Sequence, residues 1–304
     1  MLDRYMDQVR LLLGVLPDIA SEEVLALKGG TAINLFYRDM PRLSVDIDLT
    51  YLPVGERETS LRDIDETLDR IMTAIAKRNP RILARRIAGG GNNDTRIMVS
   101  DGQARIKIET SPVTRGTVHP PTKMMASDAV VDQFGFAEMN VLAFEDLYGG
   151  KLHAALDRQH PRDLFDVKLL YDNEGLTDAL FRVFMIYVAS SGRPMHELLA
   201  PTAPLDEALY DDEFVGMTRE MVTKEELADT RERLHADIRG RLRGDMAEFL
   251  LSLHDAEPDF DLIGLPDSSS LPAVRWKLMN LEKLKRTNPE KHAAQREELK
   301  NLFQ

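Results

Sequence analysis

Apolar residues recur at helical spacing near the start of the chain, where Tyr5, Val9, Leu12, Leu13 and Leu16 share one face and Pro17 is expected to end the run. A short apolar stretch, Val24 to Leu27, then meets Gly29 and Gly30 and continues as a helix-like run, which reads as strand, tight turn and helix. From Val45 to Leu52 apolar and acidic residues alternate, the period of a half-buried strand. Leu61, Ile64, Leu68, Ile71, Met72 and Ile75 then mark one face of a helix over 57–78. Glycines and asparagines at 89–93 read as a flexible turn, and Asp101-Gly102 between two alternating runs predicts a hairpin with strands over 94–100 and 103–110. From Phe144 the pattern turns helical almost throughout, over 144–158, 161–173, 176–191, 223–254 and 272–302, with 267–272 as a short connector. The expected fold class is therefore α+β: a small mixed sheet flanked by helices over 1–140, followed by an all-helical domain over 141–304.

Composition narrows the chemistry. The 304 residues include no cysteine, which excludes disulfides, cysteine-ligated metal and a thiol nucleophile, and is compatible with a cytoplasmic location. The first twenty residues carry acids and arginines among the apolar positions, so they do not read as a signal peptide, and no apolar run approaches the ~18 residues of a membrane span. A net charge of −12 argues against coating nucleic acid with the whole surface, but residues 76–116 carry a local charge of +6.

Asp46 and Asp48 lie two apart on the expected strand, so both carboxylates leave the same face. Two like charges held so close repel unless solvated or bridged, and Mg²⁺ is commonly held by one or two carboxylates plus substrate phosphates. Upstream, Gly29 and Gly30 allow close backbone approach, and Thr31 opens a helix whose free N–H groups favour an anion. Alone, the first motif is an exposed strand face and the second an ordinary helix start. Together they supply both halves of a site for a nucleoside triphosphate and its metal.

The stretch KGGTAINLFYRDMPRLSVDIDLTYLP, residues 28–53, resembles motif I of the DNA polymerase β-like nucleotidyltransferase superfamily in the form found in the AbiEii/AbiGii toxin family. A second block, KLHAALDRQHPRDLFDVKLL at 151–170, is similar to that family's downstream Lys, Arg and R-D-x-x-D segment. The resemblance implies transfer of a nucleoside monophosphate from an NTP, with Mg²⁺ or Mn²⁺ as cofactor, to RNA, the acceptor being a tRNA 3′ end. It also implies a toxin role opposed by a cognate antitoxin protein; no membrane partner is expected, because no apolar run is long enough to span one. In that family Asp46 and Asp48 would hold metal, and a third carboxylate would complete the cluster or accept a proton. Glu109 is the candidate by strand alternation, although it also suits an outward-facing pair with Lys107 or a cross-strand arginine. Asp166, with Asp163 beside it, is the alternative in the second block, and the choice stays open. Lys151 is implied as the triphosphate contact with Arg158 as helper, while Arg162 and Asp166, four apart after Pro161, suit a structural pair as well as a nucleotide site. Arg42 and Ser44 precede the aspartates and would bond the turn or a phosphate. Thr31 stands where the superfamily often has Ser, which keeps the hydroxyl. His153 and His160 are seven apart, unlike a zinc helix, and read as structural.

Two rival readings accompany this one. The transferred nucleotide could go to a small molecule or a protein side chain, since only 6% of residues are aromatic and few bases could stack. The chain could also bind NTP without catalysis.

Overall fold

The acidic alternation around Ile47 forms a central strand. The computed structural model describes residues 3–87, 95–201 and 207–303. In it, β1 (Leu25–Lys28) runs antiparallel to β2 (Asp46–Tyr51). After β3 (Leu83–Ile87) and β4 (Arg96–Ser100), β5 (Arg105–Thr110) returns to lie parallel on the other side of β2. With β6 (Thr122–Met125) and β7 (Glu138–Val141) the sheet among the described residues has seven strands, in the order β3-β4-β5-β2-β1-β7-β6. It is mixed, because β2 with β5 and β1 with β7 are parallel and the other pairs antiparallel.

Alternation decides which face is covered. Ile47, Leu49, Ile97, Val99, Ile106 and Ile108 are buried on one side of three neighbouring strands. The helices α1 (Asp3–Ala20) and α3 (Arg57–Arg78) touch each other and the sheet. α1 continues through Pro17, where the sequence pattern expected a stop. An interior proline costs ~3 kcal/mol, but Val15, Leu16 and Ile19 are fully buried around it and each contributes ~1.5–3 kcal/mol. α3 has the bounds read from its apolar stripe. The short α2 (Gly29–Ala32) runs into a π-helical segment, Ile33–Tyr37, and α4 (Asp128–Phe134) precedes β7. The glycine-rich stretch 89–93 lies outside the described residues.

The chain divides into two compact units, residues 1–143 with 215–221, and residues 144–214 with 222–304. The return of 215–221 to the first unit departs from the contiguous boundary expected at 140, and backbone pairing explains it. Leu43 N–H donates to Met217 O (2.8 Å), Arg219 N–H donates to Pro41 O (2.9 Å), and Arg42 bridges Thr218 antiparallel.

The second unit is helical: α5 (Phe144–Arg158), α6 (Pro161–Asn173), α7 (Asp178–Ala189), α8 (Met195–Leu199), α9 (Glu207–Glu213), α10 (Lys224–Arg241), α11 (Asp245–His254), α12 (Pro272–Thr287) and α13 (Pro289–Asn301). The two long helices expected from periodicity are each broken in two. Gly244, at φ +54°, separates α10 from α11. Pro289 bars Asn288 from helical geometry and separates α12 from α13. Among the described residues no helix is long and apolar enough to cross a membrane.

Candidate active site

The glycine turn is built against the acidic strand. Gly29 opens α2 at φ +73°, a backbone that L side chains rarely adopt, and a Cβ there would lie 2.8 Å from Asp48 Oδ2. A Cβ on Gly30 would lie 2.6 Å from Arg42 Nη2 and 3.0 Å from Ser44 Oγ. Both glycines are therefore required by close approach. Thr31, 1% exposed, turns its hydroxyl inward: Oγ1 donates to the Asp46 carbonyl (2.5 Å) and lies 2.9 Å from Ser44 Oγ. It clamps the turn onto β2. Asn34, which sequence reasoning missed, adds a second clamp by donating from its side chain to Gly30 O (2.8 Å). Arg42 is buried, and its Nη1 donates to Leu43 O (2.9 Å).

The register of the strands lays charge in rows across the half-buried face opposite the apolar one. Lys28 on β1 faces Asp48 on β2, Asp48 faces Glu109 on β5, and Glu109 faces Arg96 on β4. In the next row Asp46 faces Lys107, and Lys107 faces Met98. Alternation alone makes Lys107 a same-face partner of Glu109, and the structure shows that pair; Lys28 and the identity of Arg96 as the cross-strand arginine emerge only once register is known. Glu109 Oε1 accepts from Arg96 Nη2 (2.7 Å), and its Oε2 lies 3.0 Å from Lys107 Nζ. Burial alone would raise the Glu109 carboxyl, but these two cations hold it below the ordinary carboxylate value. Lys107 is held above its ordinary value by Glu109, Asp46 and Asp48 against the opposing effect of burial. Lys28 goes the other way: burial lowers it, and the charges of Asp48 and Glu109 offset this only in part.

Asp46 and Asp48 are both half-buried on one face, as expected. Among the described residues no three His, Asp or Glu side chains gather into a metal-ligand group, and both oxygens of Glu109 are taken by its cations. Two carboxylates beside a turn so tight that a Cβ would fill it fit a cation that takes its other ligands from water and a phosphate substrate.

The second block forms a centre of its own within the helical unit. Lys151 on α5 is 5% exposed, with Nζ 2.8 Å from Asp163 Oδ1 and 2.9 Å from Asp166 Oδ2 on α6. Arg158 Nε donates to Asp163 Oδ2 (2.5 Å) and Nη2 to Oδ1 (3.0 Å), while its side chain stays 63% exposed. Burial would raise the Asp163 carboxyl, yet Lys151 and Arg158 hold it well below the ordinary range. Arg162 pairs with Glu213 (3.2 Å), a different partner from the Asp166 that the four-residue spacing offered. His160 caps α6, accepting from Arg162 N–H at Nδ1 (3.1 Å), with Nε2 3.0 Å from Glu213. His153 is half-buried, in no metal-ligand cluster among the described residues, and desolvation depresses its pKa.

A family model described as "Nucleotidyl transferase AbiEii toxin, Type IV TA system" matches residues 10–280. Among solved structures the chain is similar to MenT4, a nucleotidyltransferase toxin from Mycobacterium tuberculosis H37Rv, at 14% identity and a TM-score of 0.61 over 91% of each chain. At that identity the likeness concerns the fold. No curated protein sequence matches significantly.

Proposed function

The chain belongs to the AbiEii family of nucleotidyl transferase toxins of type IV toxin–antitoxin systems, and from that premise we propose that it moves a nucleoside monophosphate from an NTP to an RNA hydroxyl, a tRNA 3′ end being the acceptor. The observation that carries this is the pair Asp46 and Asp48 on one face of β2 with the Gly29 turn packed directly against Asp48, where a Cβ would lie 2.8 Å from Oδ2. Asp46 and Asp48 would hold Mg²⁺ or Mn²⁺. When bound there, the metal supplies charge neutralisation at the α-phosphate and the departing pyrophosphate and lowers the pKa of the attacking hydroxyl.

The residues of the chain do the positioning. The Gly29-Gly30 backbone presents N–H groups to phosphate oxygens, and Arg42, with Nη2 against Gly30, adds positive charge behind them. Ser44 and Thr31 keep the turn in register with the aspartates. Glu109, already paired and with a depressed pKa, is a poor proton acceptor. Its part is to hold Lys107 and Arg96 on the face where an acceptor's phosphates would lie. Asp163 and Asp166 do the equivalent for Lys151. Within the helical unit, Lys151, Arg158 and Arg162 are proposed as the nucleotide's cationic contacts, with Arg158 the most exposed of the three. The family implies an antitoxin partner, and a cytoplasmic location is part of the proposal.

Transfer of label from an α-³²P NTP to total RNA with Mg²⁺ tests the proposal. Wild type is expected to label RNA, and labelling that persists in Asp46→Asn and Asp48→Asn would overturn the site. The low aromatic content favours a second reading, transfer to a small molecule or protein side chain. Acceptor binding whose affinity is flat with salt would support it.

A further inference from the structure

The outer face of α12 combines apolar and cationic side chains. The buried positions of this helix are Ala273, Val274, Lys277 and Leu281. At 3.6 residues per turn, Arg275, Trp276, Met279, Lys283 and Arg286 fall on the opposite side within an arc of about 100°, and all five are exposed. Trp276 is 53% exposed and Met279 60%. Tryptophan is highly buried on average, and Trp276 is the only one in the chain. Among the described residues its indole N–H has no hydrogen-bond partner, and Arg275, Lys283 and Arg286 make no ion pair. Lys285 on the flank of the helix differs, lying 3.9 Å from Glu257 and donating to Asp255 O (3.1 Å). Glu282, at the margin of the stripe, is the one acid in α12. The stripe therefore keeps a positive surplus on a chain whose net charge is −12. Its support is fixed: Lys277 Nζ, on the inner side, donates to Ser191 O (2.9 Å) and Arg193 O (2.6 Å).

We propose that this face of α12 is a docking surface for single-stranded RNA, with a base stacked on Trp276 and backbone phosphates on Arg275, Lys283 and Arg286. An exposed aromatic ring among cations is what an unpaired strand needs, since every base has a π-face and every linkage a charge. Arg275 and Arg286 are ~16 Å apart along the helix axis, long enough to follow a run of phosphates where a single ion would use one cation. A protein partner would call for an apolar centre with charge at its rim, whereas here cations and apolar side chains interleave. RNA as the polynucleotide rests on the acceptor reading above.

The single tryptophan makes the test direct, because intrinsic emission reports on this face alone. The full chain, Trp276→Leu and the triple variant Arg275→Gln, Lys283→Gln, Arg286→Gln are titrated with a single-stranded RNA 12-mer, followed by RNA anisotropy across a salt series and, where the tryptophan is present, by its fluorescence. All four positions are exposed, so both variants are expected to keep the wild-type Tm. RNA should quench wild-type emission with the midpoint that anisotropy gives. Trp276→Leu should bind about tenfold more weakly. The triple variant should show a log–log salt slope shallower by about 2, for three lost phosphate contacts. RNA that binds with unchanged emission, and equally well to all three proteins, overturns the surface and leaves the acceptor reading standing. Wild type that binds no RNA overturns both. Polyglutamate that quenches emission and displaces the RNA at equal charge concentration overturns the polynucleotide assignment in favour of an acidic protein partner.

Discussion

Replacing Lys151 by Met removes one ammonium from two carboxylates that are 1% and 0% exposed, at 2.8 and 2.9 Å. Breaking a buried ion pair from one side costs about 3–5 kcal/mol, because the remaining charge has no compensation. Arg158 remains 2.5 Å from Asp163 and offsets part of the loss, so the lower half of that range is expected. At roughly 2–4 °C per kcal/mol for a chain of a few hundred residues, Tm should drop by about 6–16 °C. Denaturant unfolding followed by far-UV circular dichroism should show a lower midpoint at unchanged slope. Adding Asp166→Asn to Lys151→Met should recover part of the loss, since one of the two carboxylates that faced the ammonium is then neutral. The pH dependence has a definite sign. Asp163 titrates lower in the folded chain than in the unfolded one, so it contributes stability above its ordinary pKa, and that contribution is lost as the pH falls through the folded value. In Lys151→Met the depression weakens and the acid limb moves to higher pH. A loss below about 1 kcal/mol, or no recovery in the double variant, would refute the view that Lys151 holds this centre together.

Gly30→Ala would place a methyl 2.6 Å from Arg42 Nη2, on a side chain only 3% exposed, and should lower transfer by about a hundredfold in steady-state kinetics while the fold survives. Lys277, which donates to the Ser191 and Arg193 carbonyls from α12, titrates at about 8 because burial opposes its charge. The unfolded chain binds more protons above that pH, so stability should rise by ~1–2 kcal/mol between pH 8 and 9.5 in wild type and stay flat in Lys277→Met, as read by urea midpoints. Glu109→Gln should keep about a tenth of wild-type transfer, the effect of losing a supporting shell; a loss as complete as in Asp46→Asn would make Glu109 a direct participant.

Much of the first unit was legible in the sequence because its strands alternate cleanly. The Asp46 to Tyr51 strand, the Arg57 to Arg78 helix and the hairpin around Asp101-Gly102 all follow from period and turn chemistry. What the pattern misjudged was local strength against tertiary burial. Pro17 reads as a stop, but the apolar residues around it are worth more than the bond it forfeits. Gly244 and Asn288-Pro289 interrupt stripes that periodicity joins. β3, β6 and β7 are short strands without a strong alternating signal and were missed. The return of 215–221 to the first unit depends on backbone hydrogen bonds that no side-chain pattern encodes.

At the site, residue types were readable and partners were not. The glycine pair and the aspartates stood out because their chemistry is unusual at that spacing. The Lys107–Glu109 pair was legible from alternation, whereas Lys28 and Arg96 acquire meaning only from cross-strand register, and Asn34 only from the carbonyl it reaches. Arg162 shows the converse: its spacing suggested Asp166, and tertiary structure paired it with Glu213.

The central claim is that Asp46 and Asp48, facing the glycine turn, carry nucleotidyl transfer to RNA. Transfer from an α-³²P NTP to tRNA should be compared in wild type, Asp46→Asn and Asp48→Asn, each first shown to unfold within about 1 kcal/mol of wild type. The account predicts labelled tRNA 3′ ends from wild type with divalent metal, and at least a thousandfold less from either variant. Equal labelling by folded variants would contradict it.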